Sequence, residues 1–192
     1  MNEVVYIFYF VFIFMESGKV EKITLIFCDI TGTIFSKKQN TTEDYLNFKQ
    51  IINDISIETN SKILFSLASS DDSNFVIETL EKLSSFIPKI KENIHFFGSG
   101  YILNKKIVYN NINSKAYQIV TYINQLKKTY DIQEIIIIDD CEFNHEMIKL
   151  LIDEEFLNNK ITSLIPIRMI GLLEVNELLK EKTDKLKIYV KK

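Results

Sequence analysis

The chain has 192 residues, 46% hydrophobic and 26% charged, which fits one soluble globular domain with at most a small appendage. A formal net charge of -3 gives no electrostatic pull toward nucleic acid or an anionic membrane, so neither is indicated as a partner. Two His argue against a His-rich zinc site, and two Cys, Cys28 and Cys141, are too few for a disulfide framework and point to a reducing cytoplasm.

Residues 4–15 (VVYIFYFVFIFM) are continuously apolar. The run is about 12 residues long, short of the roughly 20 that a membrane helix needs, so no stable membrane insertion is expected. Asn2 and Glu3 precede it, not the basic flank of a secretory signal. Residues 1–14 read as an apolar extension ahead of a start at Met15, with residues 15–192 as a single domain. An added strand, a partner-binding segment and a weak membrane anchor are the alternatives.

Ile23 to Cys28 is an apolar run with the pattern of a strand buried on both faces. It stops at Asp29, and in Asp29-Ile-Thr-Gly-Thr33 only Gly32 turns freely. Ser36 to Thr42 is polar and reads as a loop. Thr41 or Thr42 caps a helix over 43–56, with Tyr45, Phe48, Ile51, Ile52 and Ile55 on one face. A second buried strand, Lys62 to Ala68, ends in Ser69-Ser70-Asp71-Asp72, four residues able to cap a helix over 73–84. Pro88 closes that unit. A short strand over 94–97 and the turn Gly98-Ser-Gly100 lead to a β-hairpin, in which 101–103 and 107–109 flank Asn104-Lys-Lys106. Ser114 caps a helix over 115–128. Glu134 to Ile138 is the clearest central strand and ends in Asp139-Asp140. A helix over 144–157, a strand over 161–166, a helix over 172–182 and an edge strand over 186–190 follow. This alternation predicts an α/β fold of three layers, a doubly wound parallel sheet with helices on both faces.

Three strands end in polar chemistry: Asp29 with Thr31-Gly32-Thr33, Ser69-Ser70, and Asp139-Asp140. In a parallel sheet all carboxyl ends share one edge, where open α/β sheets place their ligands. Two carboxylates meeting there repel unless something cationic lies between them. Hard oxygen ligands suit Mg²⁺, which takes one or two carboxylates and keeps waters for a phosphate. The expected ligands are therefore Mg²⁺ and a phosphorylated substrate, small or macromolecular. The blander alternative for Asp29 is a turn-capping Asp after a strand.

Asp29-Ile-Thr-Gly-Thr33, a strand ending in Ser69, Lys115 opening a helix, and Ile-Ile-Ile-Ile-Asp139-Asp140 resemble, in order, the four motifs of the haloacid dehalogenase superfamily. Asp140-Cys-Glu-Phe-Asn-His-Glu-Met147 is similar to the pattern of its Cof-like phosphatases. The resemblance runs from about Ile23 to Leu179. It implies a Rossmann-like fold and a phosphatase working through an aspartyl-phosphate on Asp29. It implies that Asp29, Asp140 and the Thr31 carbonyl hold Mg²⁺, with Asp139 or Asn144 orienting bound water. Ser69 would donate to a phosphoryl oxygen, Thr33 and Ser70 would line the substrate site, and Lys115 would supply a fixed positive charge. Each has a structural alternative. Ser69 and Asn144 could be helix caps, Lys115 a surface residue, and Asp139 an acceptor for nearby backbone N–H groups. Ser66 and Ser70 rival Ser69, and Lys105 and Lys106 rival Lys115. His145 reads as a surface residue of a first helical turn, and His95 as a half-buried strand residue.

One departure bears on rate. Family phosphatases usually carry a second Asp two residues after the nucleophile, and here that position is Thr31. A hydroxyl of ordinary acidity is a poor general acid–base, a role worth roughly 10²–10⁴-fold. A slow phosphatase is expected, with a non-catalytic binding or regulatory protein, a phosphotransferase or a dehalogenase of the same superfamily as alternatives. Neither 33–62 nor 70–115 has room for a full cap domain, so the site should be capless and open, with the hairpin over 101–109 as a small lid or a contact in a homo-oligomer.

Overall fold

Strand β1, Lys22–Cys28, is buried along its whole length after Lys22, because it has hydrogen-bonded neighbours on both sides and helices on both faces. Its one polar interior side chain, Thr24, is satisfied by Ser61, Oγ1 to Oγ 2.6 Å. The structure, a computed structural model, describes residues 20–35, 41–110, 114–152, 160–167 and 171–190, with residues 189 and 190 described by backbone alone. The apolar run over 4–15 lies outside the described residues.

Helix α1, Thr42–Thr59, starts at a capping box. Thr41 Oγ1 accepts from the Asp44 N–H, and the Asp44 carboxylate accepts from the Thr41 N–H. It ends at Asn60 in the left-handed region, φ 47°. Strand β2, Lys62–Leu67, then pairs parallel with β1. Helix α2, Ser73–Ser84, is capped by Asp72, whose Oδ1 accepts from the N–H groups of Asn74 and Phe75. A 3₁₀ turn over Pro88–Glu92 leads to β3, His95–Phe97, and to the antiparallel pair β4, Gly100–Leu103, and β5, Lys106–Tyr109. Asn104 and Lys105, at φ 49° and 65°, supply the paired positive angles of a tight hairpin turn. Helix α3, Lys115–Leu126, is capped by Ser114. Strand β6, Asp131–Ile138, helix α4, Glu142–Leu151, strand β7, Ile161–Leu164, and helix α5, Leu172–Val190, follow among the described residues.

The main sheet runs β2-β1-β6-β7, all parallel. Alternate strand residues feed two cores, as a period of two requires. Ile26, Cys28, Phe65, Leu67, Ile136 and Ile138 pack with α1, α2 and α5; Ile23, Leu25, Phe27, Ile135 and Ile137 pack with α3 and α4. The α/β fold of three layers, doubly wound, is thus the one expected. The unit β1-α1-β2 winds to one side and one face, and β6-α4-β7 winds to the other side and the other face. Right-handed crossovers running in opposite directions must do this. The chain therefore parts between β1 and β6, and the crevice at their carboxyl ends is a topological switch point.

The small sheet β3-β4-β5 joins the main one beside β2, through a parallel bridge from Ala68 to Phe96 and the bond from Ser69 N–H to Phe96 O, 3.1 Å. Two expectations are corrected. Residues 186–190 are helix, not an edge strand. Leu172, Val175, Asn176, Leu179 and Thr183 recur at helical spacing and are buried, and a Glu181–Lys185 pair at 2.6 Å continues the turn pattern on the outside. β6 begins three residues before Glu134, because Lys22 and Ile23 offer Asp131 and Ile132 a parallel partner.

Candidate active site

Asp29 follows β1 directly, and its N–H still bonds across the sheet to Ile138 O at 2.8 Å. The next residues fold back at once. Thr33 N–H and Phe35 N–H both reach Ile30 O, and Gly32 takes φ 84°, which a side chain would resist. Ile30 and Ile34 anchor this turn in the core. The turn brings Thr33 Oγ1 to 3.5 Å from Asp29 Oδ2. Thr33 is fully buried, so its hydroxyl orients Asp29 and does not face the open site.

Asp139 follows β6 in the same way, its N–H bonded to Leu164 O. Its carboxylate is fully engaged by the protein. Oδ1 accepts from Cys141 N–H at 2.9 Å, Asn144 Nδ2 lies 3.1 and 3.0 Å from the two oxygens, and Lys115 Nζ is 2.5 Å from Oδ2. Cys141, not Asn144, is the residue preceding α4, so Asn144 acts as a carboxylate donor rather than a cap.

Lys115, at the first position of α3, reaches back to bridge both strand ends, with Nζ 2.8 Å from Asp29 Oδ1. All three side chains are at most 8% exposed. Asp140 completes the group: one carboxylate oxygen from each of Asp29, Asp139 and Asp140 lies within 4.8 Å of the others. Among the described residues, Lys115 is the ammonium that pairs with two of these carboxylates, Asp29 and Asp139. Burial pushes the Asp29 carboxyl up to about 6, against the pull of Lys115 and with a further push from Asp139. Lys115 is held above the ordinary lysine value; burial opposes its charge, and the two carboxylates outweigh burial. Burial, then Asp29 and Asp139, push the Cys28 thiol well up, so it is an inert core group.

The third strand end behaves differently. Ser69 is buried, but its Oγ donates to Asp71 Oδ2 at 2.6 Å. Thr31 Oγ1 donates to the same oxygen at 2.8 Å. Ser70 is exposed beside them, while Ser66 is buried within β2. Lys105 and Lys106 sit exposed on the hairpin, so the lysine at the cluster is Lys115.

Two residues at the site were not singled out from sequence. Asp71 was one of four cap candidates, and only the bonds above separate it from Asp72. His145 is 1% exposed, not a surface residue; its Nε2–H donates to Asp139 O at 2.8 Å and steadies that strand end. The signal was present, because His145, Ile148 and Ile152 lie on one buried stripe. His95 is likewise fully buried rather than half-buried.

No protein-family model matches the chain, and no curated protein matches it. Solved structures of similar shape include the HAD domain of effector protein Lem4 from Legionella pneumophila, at 14% identity and TM-score 0.48, covering 86% of this chain and 98% of that one. An inactive mutant of that domain gives 14% and 0.44, covering 89% of this chain and 99% of its own. Thermoplasma acidophilum 0175 gives 10% and 0.48, with 88% and 99% covered. At this identity the likeness assigns no activity to the chain.

Proposed function

We propose that the chain is a haloacid dehalogenase-type phosphohydrolase that carries its phosphoryl group on Asp29. The observation behind this reading is the Lys115 ammonium set between Asp29 and Asp139, residues about 110 positions apart, with Asp140 in the same cluster. An Asp29 oxygen attacks phosphorus, the bond from phosphorus to the leaving oxygen breaks, and water later breaks the aspartyl-phosphate. At neutral pH a carboxyl titrating near 6 is mostly ionised, as a nucleophile must be. Thr33 and Lys115 orient it and hold its charge.

The donor set fits Mg²⁺, because its ligands are hard carboxylate oxygens gathered within 4.8 Å of one another. Asp29, Asp140 and the Thr31 carbonyl would hold it, and the bound ion would neutralise charge on the transferring phosphoryl group. Asp139, fixed by Lys115, Asn144 and Cys141 N–H, stays behind them and sets their positions.

Phosphate release from p-nitrophenyl phosphate tests the reading. The Asp29→Asn variant should fall to the uncatalysed background. Equal rates for wild type and variant would discard the enzyme and favour a binding or regulatory protein. Full activity in a chelator would favour a dehalogenase-like, metal-free reaction.

A further inference from the structure

Position 31 carries a hydroxyl where a phosphatase of this kind needs a proton donor, but that hydroxyl is not alone. Thr31 Oγ1 is 2.8 Å from Asp71 Oδ2, across 40 residues of sequence. Ser69 Oγ donates to the same oxygen at 2.6 Å, and Asp71 N–H donates back to Ser69 Oγ at 3.2 Å. The Asp71 carbonyl is gripped from the other side by Gly98 N–H at 2.9 Å. A Cβ on Gly98 would stand 2.7 Å from Ser70 O, so only glycine lets the hairpin sheet press this close to the Asp71 loop. The Phe35 and Phe75 rings, 6.1 Å apart, pin the loop after β1 to α2. Asp71 is half-buried: held in one orientation, yet open to a ligand.

We infer that Asp71 is the general acid–base of the phosphotransfer at Asp29, supplied from the loop after β2 in place of an acid at position 31. This rests on the reading of Asp29 as nucleophile. Oδ2 takes the two hydroxyl donors, and the proton transfer is assigned to Oδ1. As the Asp29 oxygen bonds to phosphorus and the ester bond breaks, the Asp71 proton passes to the leaving oxygen, which departs as an alcohol or phenol. In the second half, Asp71 carboxylate takes a proton from water. The water oxygen bonds to phosphorus, the bond to Asp29 breaks, and inorganic phosphate leaves with Asp71 protonated again. Thr31 and Ser69 are positioning residues.

Single-turnover labelling of Asp29 by phenyl phosphate and p-nitrophenyl phosphate, in wild type and Asp71→Asn, separates the possibilities. Phenoxide needs a proton to leave and p-nitrophenoxide hardly does. The variant should lose roughly 10²–10⁴-fold with phenyl phosphate and far less with p-nitrophenyl phosphate. With the second ester it should also release one burst of p-nitrophenol and then stall as the phosphoenzyme, seen in the intact mass. The ratio of the two rates within one preparation does not depend on how much variant folds. Equal losses with both esters, or none, overturn the role of Asp71 while Asp29→Asn remains dead. If wild type labels at Asp29 with neither ester, the parent reading falls and this one with it.

Discussion

Lys115 pairs with Asp29 and Asp139 at 2.8 and 2.5 Å, and its side chain is 5% exposed. An ion pair so buried is not by itself a source of net stability, but removing one partner strands the other. Lys115→Met keeps the length of the side chain and deletes the charge. It should cost about 3–5 kcal/mol in urea unfolding at pH 7, the usual penalty for breaking a buried pair from one side. An unchanged urea midpoint would mean that the carboxylates are screened by water and that Lys115 is not the group holding them. The residues of this cluster were legible in sequence because each ends a buried apolar run or opens a helix, and chemistry at those places is rarely solvent decoration. Asp71 was not legible. In Ser69-Ser70-Asp71-Asp72 every residue is a plausible cap, and the choice is made by Thr31, a partner 40 residues away.

At the scale of the element, the edge of β2 shows how a side chain can complete a sheet. Leu67 N–H points away from β1, and in place of a strand carbonyl it finds His95 Nδ1 at 2.9 Å. The same ring donates from Nε2 to Ile90 O at 2.8 Å, so the proton sits on Nε2 and the ring must stay neutral. Burial holds the His95 pKa down to about 4, with the Ile90 bond pulling weakly the other way. In the unfolded chain an ordinary His titrates near 6.5. Above that pH neither state is charged and His95 makes no pH-dependent contribution. Between about 6.5 and 4 the unfolded state binds a proton that the folded state refuses, so stability falls as pH falls, by about 3 kcal/mol from this group. Below about 4 both states are charged and the loss levels off. His95→Leu removes the titration, and its stability should drop less between pH 7 and pH 4 than that of the wild type. It should also start about 1–3 kcal/mol lower, because Leu67 N–H is left without an acceptor. Parallel pH profiles for the two proteins would show that the ring is not kept neutral. In the sequence His95 reads only as one residue of a short strand; its role needs β3 beside β2, a non-local fact.

Over the whole molecule, double winding does the assembling. β1 sends its chain to one edge and β6 to the other, so the loops that follow them diverge and leave their first residues facing one crevice. That much follows from the alternation of strand and helix, and the four-strand order adds which two ends meet. The last stretch reads as a strand in sequence because Leu186, Ile188 and Val190 alternate, while the helix is decided upstream by the buried stripe from Leu172 to Thr183 and by contact with α1. The crevice then sets a global observable. A cation that binds the folded cluster and not the unfolded chain stabilises the protein by RT ln(1 + [L]/Kd), about 2.7 kcal/mol at a hundredfold excess over Kd. For a chain of this length that is a rise in Tm of about 5–10 °C. Mg²⁺ added to the wild type should produce such a rise, and a chelator should reverse it. Asp140→Asn removes one carboxylate from the group without touching the Lys115 contacts, so its Tm should respond much less. A non-specific salt effect would move both proteins alike, and that result would take the cation out of the crevice.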